Sequence, residues 1–532
     1  MIDAATRLPL RHISVRVPWH DNGWNGTVCS RPKENAACLV LDQIRETRDD
    51  AKEAENAGQD ISEFENQNFP ACLRERGGFM SPFEYSRNIT HPYSATSQSH
   101  QHFAPTRYRY PEFSAACTPY RWTLVESAEE IARENEIGLD WEQEERSREL
   151  MGFKSSWLQE KHNHLDMLDT FFGALEPEQS LCFFYAKRTP LAEDPRRVIV
   201  GVGRVAHVGQ AVEYDYSRMG ENYGKLRSMI WERSVQHSIR PGFTDGFLLP
   251  YPQILRLAEQ DPDLDTSGFV AFAPEESWDE FSYGSEHVSH DTAIASLLAC
   301  ADALRAAQSI VEGDLDTPLR WIDTRLNELR QMRGPCPGLG AALSAFGVEH
   351  GNFVAYNIAT ELKENEDPWL LVEQAFEEPA LLGKGLERRI GGTTVRKWKA
   401  LPGDRRALLK LLSRFDLSAD QATRFYQETE REEARISVTD AEILANPYLL
   451  YELDRFSIDP IALGTVDRGV FPDEVIRSEH PLPEPSGLND DAVDPRRVRA
   501  FVVSILEGAS SAGSTLLPQN RVIQEVELPR SG

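Results

Sequence analysis

Two groups of residues in this sequence could do chemistry. The first lies near the start: Cys29, Cys38, Cys72 and Cys117, accompanied by His20, His91, His100 and His102. Thiolates and imidazoles are the ligands of zinc and of iron–sulfur clusters, and either would tie down loops that cannot bury enough apolar area alone. No pair has the CxxC spacing of a recognisable zinc site, so the same four cysteines also fit small buried core residues. His20 and Asp21, in WHDNGWNG, offer an acid–base pair as a further option, although neighbours on a strand point to opposite faces.

The second group is a run of charge. From Lys384 to Arg414, ten basic residues (Lys384, Arg388, Arg389, Arg396, Lys397, Lys399, Arg405, Arg406, Lys410 and Arg414) stand against two acidic ones, Glu387 and Asp404, in a chain of net charge −28. Binding of phosphate rests on accumulated Lys and Arg, so a chain this acidic can meet nucleic acid only locally. The expected DNA contacts are Arg388, Arg389, Arg396, Lys397, Lys399, Arg405, Arg406, Lys410 and Arg414. The competing reading is a solvated basic helix that pairs with the acidic remainder.

The elements that must position these groups are legible to different degrees. SLCFFYAKRTPL and RRVIVGVGRVAHVG are β-rich runs, and with VEYDY they predict an antiparallel sheet over about 180 to 216. Gly201 and Gly203 lack the third glycine of a dinucleotide fingerprint and mark a bulge or close packing instead. MIWERSVQHS reads as a helix followed by a Pro/Gly loop, and Ser81 to Arg121 reads as irregular. Amphipathic periodicity predicts helices over His290 to Val311 and Thr317 to Gln331. Further on, Leu408, Leu409, Leu411, Leu412 and Phe415 form one apolar stripe, Ser418 an N-cap, and Ala422, Phe425 and Tyr426 a second stripe: helix, tight turn, helix.

At 532 residues the chain needs several cores. The fold class is α+β and multidomain: an irregular and β N-terminal part with an antiparallel sheet, then a mainly helical C-terminal half. The expected parts are 1–125 (Cys/His-containing), 126–290 (helical segment plus sheet), 291–382 (helical layer), 383–480 (basic hairpin region) and 481–532. No run approaches a membrane span and the opening lacks a signal-peptide core, so a cytoplasmic protein without membrane contact is expected. There is no GxxxxGK[ST], HExxH or GxSxG string, hence no ATP site and no recognisable autonomous active site.

The segment from Leu408 to Ile523 resembles the region that precedes the motor in RecD-like DNA helicases, relatives of the exonuclease V alpha subunit. LLSRFDLSADQATRFY resembles the helix-hairpin-helix unit, ILANPYLLYELDRFSIDPIALG the segment with the Asn446-Pro447-Tyr448 turn, and RRVRAFVVSILEGASSAGSTLLP a winged-helix-like element. Asp416 stands where the family favours a glycine in the hairpin turn. The resemblance implies a non-catalytic DNA-binding and scaffolding region, acting in repair, recombination or phage defence on single-stranded or forked DNA, beside a helicase motor in cis or in trans. Such a hairpin grips DNA by presenting turn amides to a phosphate. The alternative is a metal-containing enzyme, or a sensor of a modified base or other ligand, in the N-terminal 330 residues. The strand pair around GVGRV resembles that of the PUA-like barrels, which read unusual bases.

Overall fold

The computed structural model describes residues 9–64, 67–93, 105–149, 155–217, 228–242, 244–361, 366–382, 390–484, 486, 488, 492–511 and 513–527. Its contacts divide the chain into two units that meet in sequence at Arg325 and Leu326. The protein is mixed α and β: a mostly antiparallel sheet lies in the first unit, and the second is helical.

The strands of the first unit are β1 (His12–Arg16), β2 (Tyr85–Ile89), β3 (Thr106–Tyr110), β4 (Ser114–Cys117), β5 (Leu181–Ala186), β6 (Val198–Val208), β7 (Arg233–His237), β8 (Gly246–Leu248) and β9 (Ser285–Val288). The main sheet runs β4-β7-β6-β5-β1-β9, with β8 paired to β6, while β2 and β3 form a separate hairpin. Every residue of β5 is buried, and so are the first six of β6, which is why these strands read as continuous apolar runs rather than alternating ones. β1 pairs with β5 in parallel, Ile13 opposite Cys182, and antiparallel with β9, Ile13 opposite His287. Residues from the expected segments 1–125 and 126–290 therefore share one sheet. The register of β5 on β6 slips between Phe184 and Tyr185, opposite Gly201. A Cβ on Gly201 would lie 2.5 Å from the Phe247 carbonyl oxygen, so the glycines serve both the bulge and close packing.

Three expectations are overturned here. Arg233–His237, inside the expected helix, is β7, because between β4 and β6 its backbone gains ladder hydrogen bonds on both sides; a short apolar window does not separate helix from buried strand. VEYDY contributes only the bridge of Glu213 to Met229, and Ser81–Arg121 holds β2, β3 and β4 among its described residues.

The second unit is organised around the predicted hairpin, Gly403–Leu412 and Ala419–Tyr426. Both stripes are buried, Leu408, Leu411, Leu412, Phe415, Ala422 and Phe425 completely, and join one core with residues from Leu339 to Ala500. Ser418 caps the second helix in a capping box with Gln421. Tyr448, from the Asn-Pro-Tyr turn, is wholly buried and donates its hydroxyl to Asp467 at 2.7 Å; Asp467 in turn holds Arg497 of helix Pro495–Ser511 through two bonds of 2.7 and 2.8 Å. Among the described residues after 481 there are two helices and no strand, so no wing is present there. No helix among the described residues is long and apolar enough to cross a membrane.

Candidate functional site

β1 delivers the chain into a loop whose path is set by aromatic packing and glycine. Val17 N–H still donates to Tyr185 O (2.8 Å), which extends the pairing with β5, and Trp19 then stacks on Tyr251 and meets Trp24 edge-on. At Gly26 φ is +76° and a Cβ would lie 2.7 Å from Ser81 Cα, a turn open only to glycine. The chain comes back on itself there. The consequence is that the donor atoms of His20, Asp21 and Cys29 lie within 4.8 Å of one another.

The chemistry of the three groups is specific. His20 is buried, and its Nε2 lies 2.9 Å from Thr27 O; a carbonyl only accepts, so Nε2 carries the proton and Nδ1 keeps its lone pair, buried with no hydrogen-bond partner. Asp21 Oδ2 accepts from the Arg31 N–H at 2.9 Å, Oδ1 is buried with no hydrogen-bond partner, and the carboxylate lies beside the Cys29 thiol. Burial pushes that thiol's pKa well up, helped by the Asp21 charge and by Cys72 and Cys38; burial lowers His20, opposed by Thr27 O and Asp21. A soft or borderline cation would reverse that balance, since it pairs with the thiolate and the carboxylate and takes the imidazole lone pair. N, O and S donors with a backbone carbonyl behind the histidine fit zinc in particular.

The structure groups the predicted cysteines differently from a four-thiolate site. Cys38 donates its thiol to Trp19 O at 2.8 Å, and Cys72 packs against Gly77, where a Cβ would lie 2.5 Å from its Sγ; both are electrostatic neighbours of Cys29. Cys117 sits on β4 beside Arg76, Ser285 and Cys182. Among the described residues no set of four cysteines converges. His20 and Asp21 converge because they lie beyond the end of β1, where the alternation of a strand no longer applies. His91 is buried against Tyr214, and His100 and His102 lie outside the described residues.

The basic run divides in two. Arg405 pairs with Asp440 (3.1 Å), donates to Tyr426 O and lies over the Tyr426 ring, while Arg406 donates to Trp398 O and covers its ring. Lys410 pairs with Glu373 at 3.0 Å, and Arg414, only 5% exposed, donates to Gly469 O and His480 O. Helix Gly392–Ala400, in contrast, buries Trp398 on Phe376 and leaves Arg396, Lys397 and Lys399 exposed. Arg388 and Arg389 fall outside the described residues. The hairpin turn is covered: Ser413, Arg414, Phe415 and Leu417 are buried, and the amides of Arg414, Phe415 and Leu417 bond to Leu411 O, Leu412 O and Phe415 O. Those three amides are therefore committed within the chain. No protein-family model, curated protein or solved structure matches this chain.

Proposed function

We propose that the chain is a non-catalytic DNA-binding and scaffolding module that works beside a RecD-like helicase motor, in cis or in trans, in repair, recombination or phage defence. The observation that carries this reading is the face of helix Gly392–Ala400. Arg396, Lys397 and Lys399 are exposed on a helix with no acidic residue, in a chain of net charge −28. The contact is with phosphate and is independent of base sequence, and Arg405, Arg406, Lys410 and Arg414 support it by holding the helices in place. Fluorescence anisotropy on single-stranded, forked and duplex DNA at two salt concentrations tests it. With these three cations at work, log K falls against log salt with a slope of about −2 to −3. Changing all three to Ala abolishes binding at ~50 mM salt without altering the melting temperature. Wild-type protein that leaves every DNA form unbound at that salt sinks the reading.

A second reading has its own observation, the convergence of His20, Asp21 and Cys29. A zinc ion held there would pin the loop after β1 and leave a coordination position for water or a ligand. Elemental analysis of anaerobically purified protein is expected to find roughly one zinc per chain, lost in Cys29→Ser and in His20→Ala. Zinc at ~100 times its Kd should also raise stability by about 2.7 kcal/mol in the wild type alone. A metal-free, folded sample whose melting temperature ignores added zinc removes this reading.

A further inference from the structure

A cavity of about 170 Å³ lies in the second unit, where the hairpin turn meets the end of helix Leu463–Val470 and the chain that follows helix Glu474–Glu479. Arg414 forms part of its wall. That side chain is built in: the residue is 5% exposed, Nε donates to Gly469 O at 3.1 Å, and Nη1 donates to His480 O at 2.8 Å. Both partners are neutral carbonyls. Among the described residues no acid pairs with Arg414 and its Nη2 makes no hydrogen bond. Nη2 is not sealed in, in contrast to the unpartnered Nε of Arg406, so its protons are left for whatever enters the cavity. Burial is the main influence on Arg414 and lowers its pKa; Arg333 adds to that, while Cys336 and Asp367 oppose it. A guanidinium stays charged all the same, and a charge held inside a protein is ordinarily matched by an anion.

The rest of the wall narrows the ligand. Arg414 and Arg477 stand against one carboxylate, Glu484, and that excess of a single charge suits a monoanion better than a phosphate monoester, which carries about −1.5 to −2 at pH 7. Val470, Phe471, Leu482 and Leu488 make much of the remaining lining apolar, a poor surface for a second charge and a good one for an alkyl group. The volume is below that of ordinary small-molecule sites, so a small acid fits and a large cofactor does not.

We propose that this cavity binds a small monocarboxylate with a short apolar group: the carboxylate takes the Nη2 protons of Arg414, and the apolar group lies against Val470, Phe471 and Leu482. The same chemistry is offered by a free short-chain acid and by the C-terminal residue of a polypeptide. The site stands apart from the basic helix and needs neither that contact nor the metal. Calorimetric titration of the full chain with isovalerate, its neutral amide isovaleramide, N-acetyl-leucine and inorganic phosphate tests it. At least one of the two carboxylates binds with Kd of about 1 mM or below, and roughly tenfold or more tighter than the amide and the phosphate. Isovalerate alone identifies a free acid as the source, whereas N-acetyl-leucine binding extends it to chain ends. Glu484→Gln, at an exposed position, keeps the wild-type melting temperature and tightens carboxylate binding roughly twofold or more, because the opposing charge is gone. Arg414→Met abolishes the binding; where that variant does not fold, the Glu484 variant and the ratio of acid to amide still decide. The proposal is overturned if neither carboxylate binds, if amide or phosphate binds as tightly, or if Glu484→Gln leaves the affinity unchanged.

Discussion

Lowering the pH from 6.5 to 5 should strip about 4 kcal/mol from the stability of the sheet-bearing unit. Burial pushes His164, His237 and His287 down to about 3, and His12, buried beside His290 and Arg11, also lies well below its ordinary value. Each is neutral in the fold and, in the unfolded chain, takes a proton near pH 6.5. A histidine with a depressed folded pKa contributes stability that is complete above the unfolded value and is lost as pH falls below it. Each such group costs about 1.4 kcal/mol per pH unit below 6.5, so the three with values near 3 cost roughly 4 per unit. Glu286 opposes them. Burial raises its carboxyl to about 8, so it is protonated in the fold and gains stability as pH falls, at about 1.4 kcal/mol per unit, leaving a net slope near 3. A loss of that size is a large part of the roughly 5 to 15 kcal/mol that holds a domain. Hydrogen exchange in peptides from β5 and β6, measured from pH 7 to pH 5 with correction for intrinsic rates, reads it. His164 has no hydrogen-bond partner on either ring nitrogen, so His164→Leu should remove about a third of the histidine slope. Protection that stays constant over this range contradicts the derivation.

The second large effect is steric. Gly338 caps helix Leu339–Phe346 and donates its N–H to Ser413 O at 2.9 Å, which ties that helix to the hairpin turn. A Cβ at this position would stand 1.9 Å from Phe415 O, a backbone atom that cannot rotate away. Its φ of −91° suits any residue, so Gly338→Ala tests space and not backbone conformation. Overpacking ordinarily costs about 1 to 3 kcal/mol, and a contact with backbone belongs at or above the top of that range. Gly403→Ala, at the start of the first hairpin helix with nothing within 4 Å, is the control and should be neutral or slightly stabilising. Urea unfolding of both variants decides: equal midpoints would mean that the turn is not braced by Gly338. The hairpin turn and, through Trp398, the exposed helix Gly392–Ala400 belong to the same core.

The helical hairpin was legible because helix signals are local. The apolar stripe of Leu408, Leu411 and Leu412 and the Ser418–Gln421 capping box lie within a few residues of the groups they contact. Strands β5 and β6 were legible for the same reason, as continuous apolar runs bounded by turn residues. β7 was not, since Arg233–His237 becomes a strand through the two neighbours that flank it, and those come from residues 114–117 and 198–208. The candidate metal centre was half visible. Residue type points to Cys29 and His20, but the group that the fold brings to them is Asp21 rather than a set of Cys38, Cys72 and Cys117.

By itself, then, the sequence determined the helical core around Leu408 to Tyr451, the antiparallel pair at its sheet, the lack of a phosphate loop, and the local reversal of charge. These depend on residue type and short spacing. Tertiary structure alone decided which charges are spent. Arg405 and Arg414 find Asp440, Gly469 O and His480 O 35 to 66 residues away, and a count of charges along the chain cannot see such partners. It also decided that His20, Asp21 and Cys29 meet, because a left-handed glycine at Gly26 and the pairing of β1 with β5 fold a loop back on itself.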